Sequence, residues 1–221
     1  MRGSMYPAVL LSAAACLTAA PLFSPVSAQA TGQQPHAMPV ANVVSASVPA
    51  RELSAIRAAT SKYQDIAVAL KEGYVRDPNN MCVTSAMEGA PRQLGAMGVH
   101  YVRPDLLGLA GETPRVHGTG MHTDFQTPGV LIYEPQKDGS QKLVAIENLV
   151  WAQPWRDAGN KEAPSFHGYD YYYMQDNPLT AADEAHGFEP HYELHFWLYR
   201  NNPAGTFSPF NSTVNCEYHV Q

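Results

Sequence analysis

Two imidazoles, a carboxylate and several large aromatics are packed into His191-Tyr192-Glu193-Leu194-His195-Phe196-Trp197-Leu198-Tyr199-Arg200. Read with a period of two, His191, Glu193, His195, Trp197 and Tyr199 share one face, and Tyr192, Leu194, Phe196 and Leu198 share the other. This alternation, closed by Asn201-Asn202-Pro203-Ala204-Gly205, predicts a half-buried β-strand. A helix would scatter the apolar residues of 194–199 around every side. Neutral imidazoles and carboxylates together are the donors of Zn²⁺, Fe²⁺ or Cu²⁺. Spacing decides which of them can share an ion. Residues two apart on a strand rise by roughly 6.6 Å, so Glu193 and His195 can lean onto one ion, whereas His191 and His195 stand roughly 13 Å apart and cannot.

Further donors come from two other segments. Gly98-Val99-His100-Tyr101-Val102 predicts a short strand with His100 on the face opposite Val99 and Tyr101. Residues 129–135 and 141–151 flank Asp138-Gly139 and predict a tight hairpin. With Asp138 and Gly139 as the central residues, Glu134 pairs with Leu143, and Val130, Ile132, Glu134, Leu143, Ala145 and Glu147 share a face. Two carboxylates on an apolar face are costly unless paired or ligating. The expected site is therefore His195 and His100 with Glu193 and with Glu134 or Glu147 as carboxylates. Met97 and Met121 beside His122 hint at copper through thioethers, although methionine more often fills cores. His117, His122, His167, His186 and His219 are expected in exposed loops or the tail. Acid–base chemistry by Glu193 and His195 in a closed cavity is the non-metal alternative. No His-Glu-x-x-His, Gly-x-Ser-x-Gly or phosphate-cradling glycine loop occurs.

The elements that must position these residues follow from patterning. Leu53, Ile56, Tyr63, Ile66, Ala67, Leu70 and Tyr74 recur at helical spacing and predict one long helix over 49–72, ended by Gly73. Packed on the strands, it gives an α+β fold with a curved antiparallel sheet, either open or closing part-way into a barrel. Residues 103–128 and 156–189 read as long loops that roof the polar face, and loops of this length are usually functional.

The first thirty residues differ from the rest. A single charge, Arg2, precedes an apolar run from Tyr6 to Phe23 and the small residues Val26-Ser27-Ala28-Gln29-Ala30, the pattern of a secretory signal peptide. Cys16 after three alanines offers a lipidation alternative. Residues 31–48 read as a flexible leader and 49–221 as a single α+β domain. Once Cys16 leaves with the signal, Cys82 and Cys216 remain as a pair to be joined after export. The chain-entropy gain of so long a loop is about 5 kcal/mol. The chain carries 14 basic and 20 acidic residues, a formal charge of −6, without a basic run, which argues against a nucleic-acid partner. No membrane span is expected in the mature chain.

The motifs Gly95-Ala96-Met97-Gly98-Val99-His100-Tyr101-Val102, Tyr133-Glu134-Pro135, Val144-Ala145-Ile146-Glu147, Leu194-His195-Phe196-Trp197-Leu198, Asn202-Pro203-Ala204-Gly205 with Phe207, and Asn211 with Val214-Asn215-Cys216 resemble a group of uncharacterised exported bacterial proteins. The resemblance covers roughly residues 60 to 217 and implies export and one compact domain; it carries no activity. The residues themselves point to an exported protein that binds a transition metal or small ligand. A metal-assisted or acid–base enzyme of the hydrolase or isomerase type, and a structural or adhesion module, are the alternatives.

Overall fold

In the computed structural model, which describes residues 47–110 and 115–220, the chain enters through α1 (Ala50–Thr60), a 3-10 turn (Ser61–Gln64) and α2 (Ile66–Lys71). The long helix expected over 49–72 is thus not formed. Thr60 donates its hydroxyl back to the Ile56 carbonyl at 2.7 Å and meets the Tyr199 hydroxyl at 2.8 Å, a local bond that competes with helix continuation. The next turn tightens, Asp65 becomes extended (φ −92°, ψ 106°), and its carboxylate restarts the chain as the N-cap of α2. The break turns Tyr63 into the core beside Tyr74 and leaves Leu70, assigned to the same apolar stripe, 51 % exposed.

The remaining elements in chain order are β1 (Val75–Arg76), β2 (Cys82–Thr84), β3 (Ala96–Val102), α3 (Pro104–Leu107), β4 (Leu109–Ala110), β5 (His117–Gly118), β6 (Val130–Pro135), β7 (Gln141–Trp151), α4 (Ala152–Asp157), β8 (Ser165–Phe166), β9 (Tyr169–Asp170), β10 (Tyr172–Met174) and β11 (His191–Phe196). A seven-stranded sheet runs β1-β3-β6-β7-β11-β10, with β2 also paired to β3. All its pairings are antiparallel. The sheet stays open, so no barrel closes among the described residues. Short helices on an antiparallel sheet still make the protein α+β. No helix of the described residues is long and apolar enough to cross a membrane.

The hairpin keeps its expected inner pairing by an unexpected route. Three residues, 137–139, form the turn, with Gly139 at φ +84° and the Gln136 amide bonded to the Ser140 carbonyl at 2.9 Å. Glu134 therefore faces Lys142 and Tyr133 faces Leu143, not the pairing expected from a two-residue turn. A bulge between Ile132 and Tyr133 then restores Ile132 opposite Ala145 and Val130 opposite Glu147. The two one-residue shifts cancel.

Each face of the sheet buries its own core. On one lie Ile56, Tyr63, Tyr74, Leu131, Tyr133, Ile146, Leu194 and Phe196 under the helices. On the other lie Val102, Val130, Ile132, Ala145, Leu149, Trp151 and Trp197, with Leu107, Val116 and Phe188 from the covering loops. Cys82 and Cys216 are joined, with Cα atoms 5.7 Å apart across 134 residues of chain, which ties the C-terminal segment to β2. The described residues belong to one compact unit, Pro39–Gln221. The expected signal peptide (1–30), Cys16 and the leader to residue 46 lie outside the described residues.

Candidate metal centre

The second face carries the polar residues. On adjacent strands β7 and β11, His195 stands opposite Glu147 and Glu193 opposite Leu149. Directly opposed residues project to the same side, so Glu147 and His195 meet, and the period of two brings Glu193 and His191 to that side as well. His100 reaches over β6 from β3, where it is paired with Ile132. The result is a first triad, with Glu147 Oε2 3.3 Å from His100 Nε2 and 3.5 Å from His195 Nε2.

A second triad adjoins it. Glu193 Oε2 lies 3.1 Å from His186 Nε2 and 3.3 Å from His191 Nε2, while its Oε1 faces His195 Nδ1 at 3.7 Å. The four rings form one nest: His100 stacks on His186 at 5.4 Å, and His195 lies edge-on to His100 at 6.1 Å. Glu147, His191, Glu193 and His195 are fully buried, and His100 and His186 nearly so.

His186 arrives from the loop that precedes β11, and that loop is firmly tied. Arg115 pairs with Asp176 at 2.8 Å and with Asp183 at 3.3 Å. Val116 bonds Gly187 and Glu189 across a parallel bridge. His186 itself sits at φ +38°, left-handed backbone that costs a non-glycine residue free energy and clusters at functional sites. Gly187 follows at φ +83°, and a Cβ there would come within 2.2 Å of Asn79 Nδ2.

Hydrogen bonding does not explain this cluster. Among the described residues, the buried polar atoms without a partner include both oxygens of Glu147, both ring nitrogens of His195, His100 Nε2, His186 Nδ1, Glu193 Oε1 and Glu88 Oε1. Such atoms are rare in folded proteins, and finding them concentrated in one place calls for an explanation. His191 sharpens the point. Its Nδ1 faces the Glu189 carbonyl at 2.9 Å, and because a carbonyl only accepts, Nδ1 must donate. In the neutral ring Nε2 then aims a lone pair at a carboxylate oxygen, which needs a proton or a cation between them. A backbone carbonyl fixing the far nitrogen is the usual support of a metal-ligating histidine. The spacing agrees: bonds of about 2.0–2.1 Å to a tetrahedral ion set its ligand atoms about 3.3 Å apart.

Electrostatics describe the same strain. Burial opposes charge on Glu147 and Glu193, but the imidazoles outweigh it, so His195 and His100 hold Glu147 below the usual carboxylate range. His195, His186 and His191 hold Glu193 well below it. Burial would lower His186 too, yet its contact with Glu193 raises it to about 10. Burial wins at His195, whose pKa falls despite Glu147 and Glu193. Glu88, from the segment between β2 and β3, is pushed well above the carboxylate range, first by burial and then by the negative charges of Glu193, Asp183 and Glu147, against the pull of His186.

Of the residues singled out in the sequence, His100, His195, Glu147 and Glu193 come together, and Glu134 does not. Glu134 stands at the turn end of the hairpin, paired with Arg200 and accepting from the Asn215 amide at 3.2 Å. His186 was expected in an exposed loop and is instead buried in the nest; only its neighbouring Asp183 and Gly187 hint at a shaped turn. His191, left out of the expected site, groups with His186 and Glu193 rather than with His195. Glu88 lay in a stretch rich in Gly and Ala, without periodicity. Met97 packs against Val83 and Phe210, and Met121 is exposed, so neither brings a thioether to the cluster. Comparisons with protein-family models, curated proteins and solved structures match nothing to this chain.

Proposed function

We propose that this chain is an exported metal-binding protein that holds a divalent transition metal between His100, Glu147 and His195. The observation that supports it most directly is the convergence of two imidazole Nε2 atoms on a fully buried carboxylate neither of whose oxygens has a hydrogen-bond partner. Two imidazoles and one carboxylate suit Zn²⁺ or Fe²⁺, and neither Met97 nor Met121, the thioethers that would favour copper, joins the cluster. Export rests on the signal-like residues 1–30 and on a disulfide that persists in oxidising compartments.

The test is elemental analysis of the mature protein purified from an export compartment. At least one ion per chain is expected, and the His100→Ala/His195→Ala double variant should lose the one held by the first triad. Metal-free protein whose melting temperature ignores added Zn²⁺, Fe²⁺ and Cu²⁺ would overturn the reading.

One observation favours a second reading, a metal-assisted hydrolase. Three protein ligands would leave a metal one position for water, and Glu88, whose carboxyl burial pushes well above the usual carboxylate range, would be the candidate acid. Metal-loaded protein should then hydrolyse an activated ester, and Glu88→Gln should lower turnover while metal content stays the same.

A further inference from the structure

We infer that His186, His191 and Glu193 hold a second transition-metal ion beside the first, making the centre a coupled pair linked through Glu193 and His195. This rests on the metal-binding reading above and extends it from one ion to two. The ligand atoms of this triad lie within 4.8 Å of one another, as do those of the first. Its contacts of 3.1 and 3.3 Å to one carboxylate oxygen are the edge lengths of a tetrahedral shell.

The competing explanation is a charged hydrogen-bonded trio with no metal. One proton on His186 would satisfy that ring and Glu193 Oε2, but His191, whose Nδ1 proton is committed to Glu189, would need a second proton on Nε2, which would set two imidazolium rings on one carboxylate oxygen. A cation satisfies both rings at once. The backbone is bent to make the triad: His186 is held left-handed, and the ion pairs of Arg115 fix the loop that carries it.

Glu193 joins the two sites. Oε2 belongs to the second triad, while Oε1 faces Nδ1 of His195, the ring whose Nε2 belongs to the first. A carboxylate behind a metal-bound imidazole raises the ring's basicity as a ligand, so filling one site changes the other. Among the described residues, Glu147 and Glu193 are paired only with histidines and with no lysine or arginine.

The experiment is a Zn²⁺ and a Co²⁺ titration of the full mature chain, stripped of metal, read by native mass spectrometry and Co²⁺ absorption. Wild type should take two ions, and His191→Gln and His100→Gln one each, with near-UV dichroism checking that each variant folds. One ion in wild type, kept by His191→Gln and lost by His100→Gln, would overturn the second site and leave the first standing. One ion lost by either variant would mean a single shared ion, which also overturns it. No ion at all would overturn both readings, and the wild-type count decides even if the variants do not fold.

Discussion

The two faces of the sheet are equally buried but treat their polar groups differently. Under the helices, three buried hydroxyls are matched to main-chain carbonyls, with Tyr171 an unmatched exception: Tyr74 donates to Pro128 at 2.6 Å, Tyr133 to Tyr63 at 2.7 Å and Thr60 to Ile56 at 2.7 Å. On the opposite face, imidazoles and carboxylates crowd together with their donor atoms unmatched. One chain built both, so the fold is able to satisfy buried polar atoms where it needs to. Departures from that rule are expected where function requires them. Metal, pH and single substitutions each distinguish a second face built of metal ligands from an ordinary polar core.

The largest difference should come from metal. A ligand that binds only the folded state, at a thousand times its Kd, stabilises it by about 4 kcal/mol. For a domain of this size that raises Tm by about 8–16 °C. Scanning calorimetry with Zn²⁺ and with a chelator measures it. A polar core would show no shift, and the His100→Ala/His195→Ala variant should keep only the part that the second triad supplies.

Alkaline pH comes next, and only without metal. Contact with Glu193 raises His186 from 6.5 to about 10, so its stabilisation is complete below pH 6.5 and drains away as pH climbs towards 10. Glu193 is shifted the other way, so its share is complete above pH 4.5 and lost as acid titrates it through its lowered value. Urea midpoints of the metal-free protein should fall between pH 7 and 9, by at most about 1.4 kcal/mol per pH unit. Metal displaces the His186 proton, so the loaded protein should stay flat across that range. A decline of equal size in both forms would sever the link between this triad and metal.

Glu147→Gln gives a smaller effect whose sign is informative. Burial opposes its charge, but His195 and His100 outweigh burial and lower its pKa, so the ionised carboxylate favours the fold above the ordinary carboxylate pKa. Removing its charge should destabilise the metal-free protein by about 1 kcal/mol while abolishing metal uptake at the first triad. No loss in chemical denaturation, or a gain, would instead show that Glu147 is carried at a cost to the metal-free fold.

How much of this was legible in the sequence differs between the faces for the same kind of reason. The alternation on β11 is periodic, so the shared face of His191, Glu193 and His195 could be read directly, but the rise per residue alone left His191 out of the expected site, although it groups with His186 and Glu193. Glu147 was placed correctly only because a three-residue turn and a bulge at Val144 offset one another, and neither could be seen in Asp138-Gly139 alone. His186 and Glu88 come from aperiodic loops and are brought in by long-range ties such as Arg115 to Asp183, which local pattern does not encode. The helix failed for a tertiary reason as well. Thr60 and Tyr63 answer to Tyr199 and Tyr74, partners distant in sequence or beyond the helix, and these overrode a continuous local periodicity.

Tyr133→Phe should have the smallest effect and serves as the control for the whole comparison. Its hydroxyl reaches the Tyr63 carbonyl in the 3-10 turn, on the face away from the cluster. Losing one such bond costs about 1 kcal/mol and leaves the carbonyl without its donor. Because Tyr133 lies on β6, whose other face carries the strand between His100 and Glu147, a strained sheet would pass the change through to the metal. Vacant ligands held by a rigid, independently packed face would not feel it. The expected result is a lower urea midpoint with the metal stoichiometry and Co²⁺ spectrum unchanged. A changed spectrum would mean that the two faces act as one unit, and that the mismatch on the second is set by packing on the first.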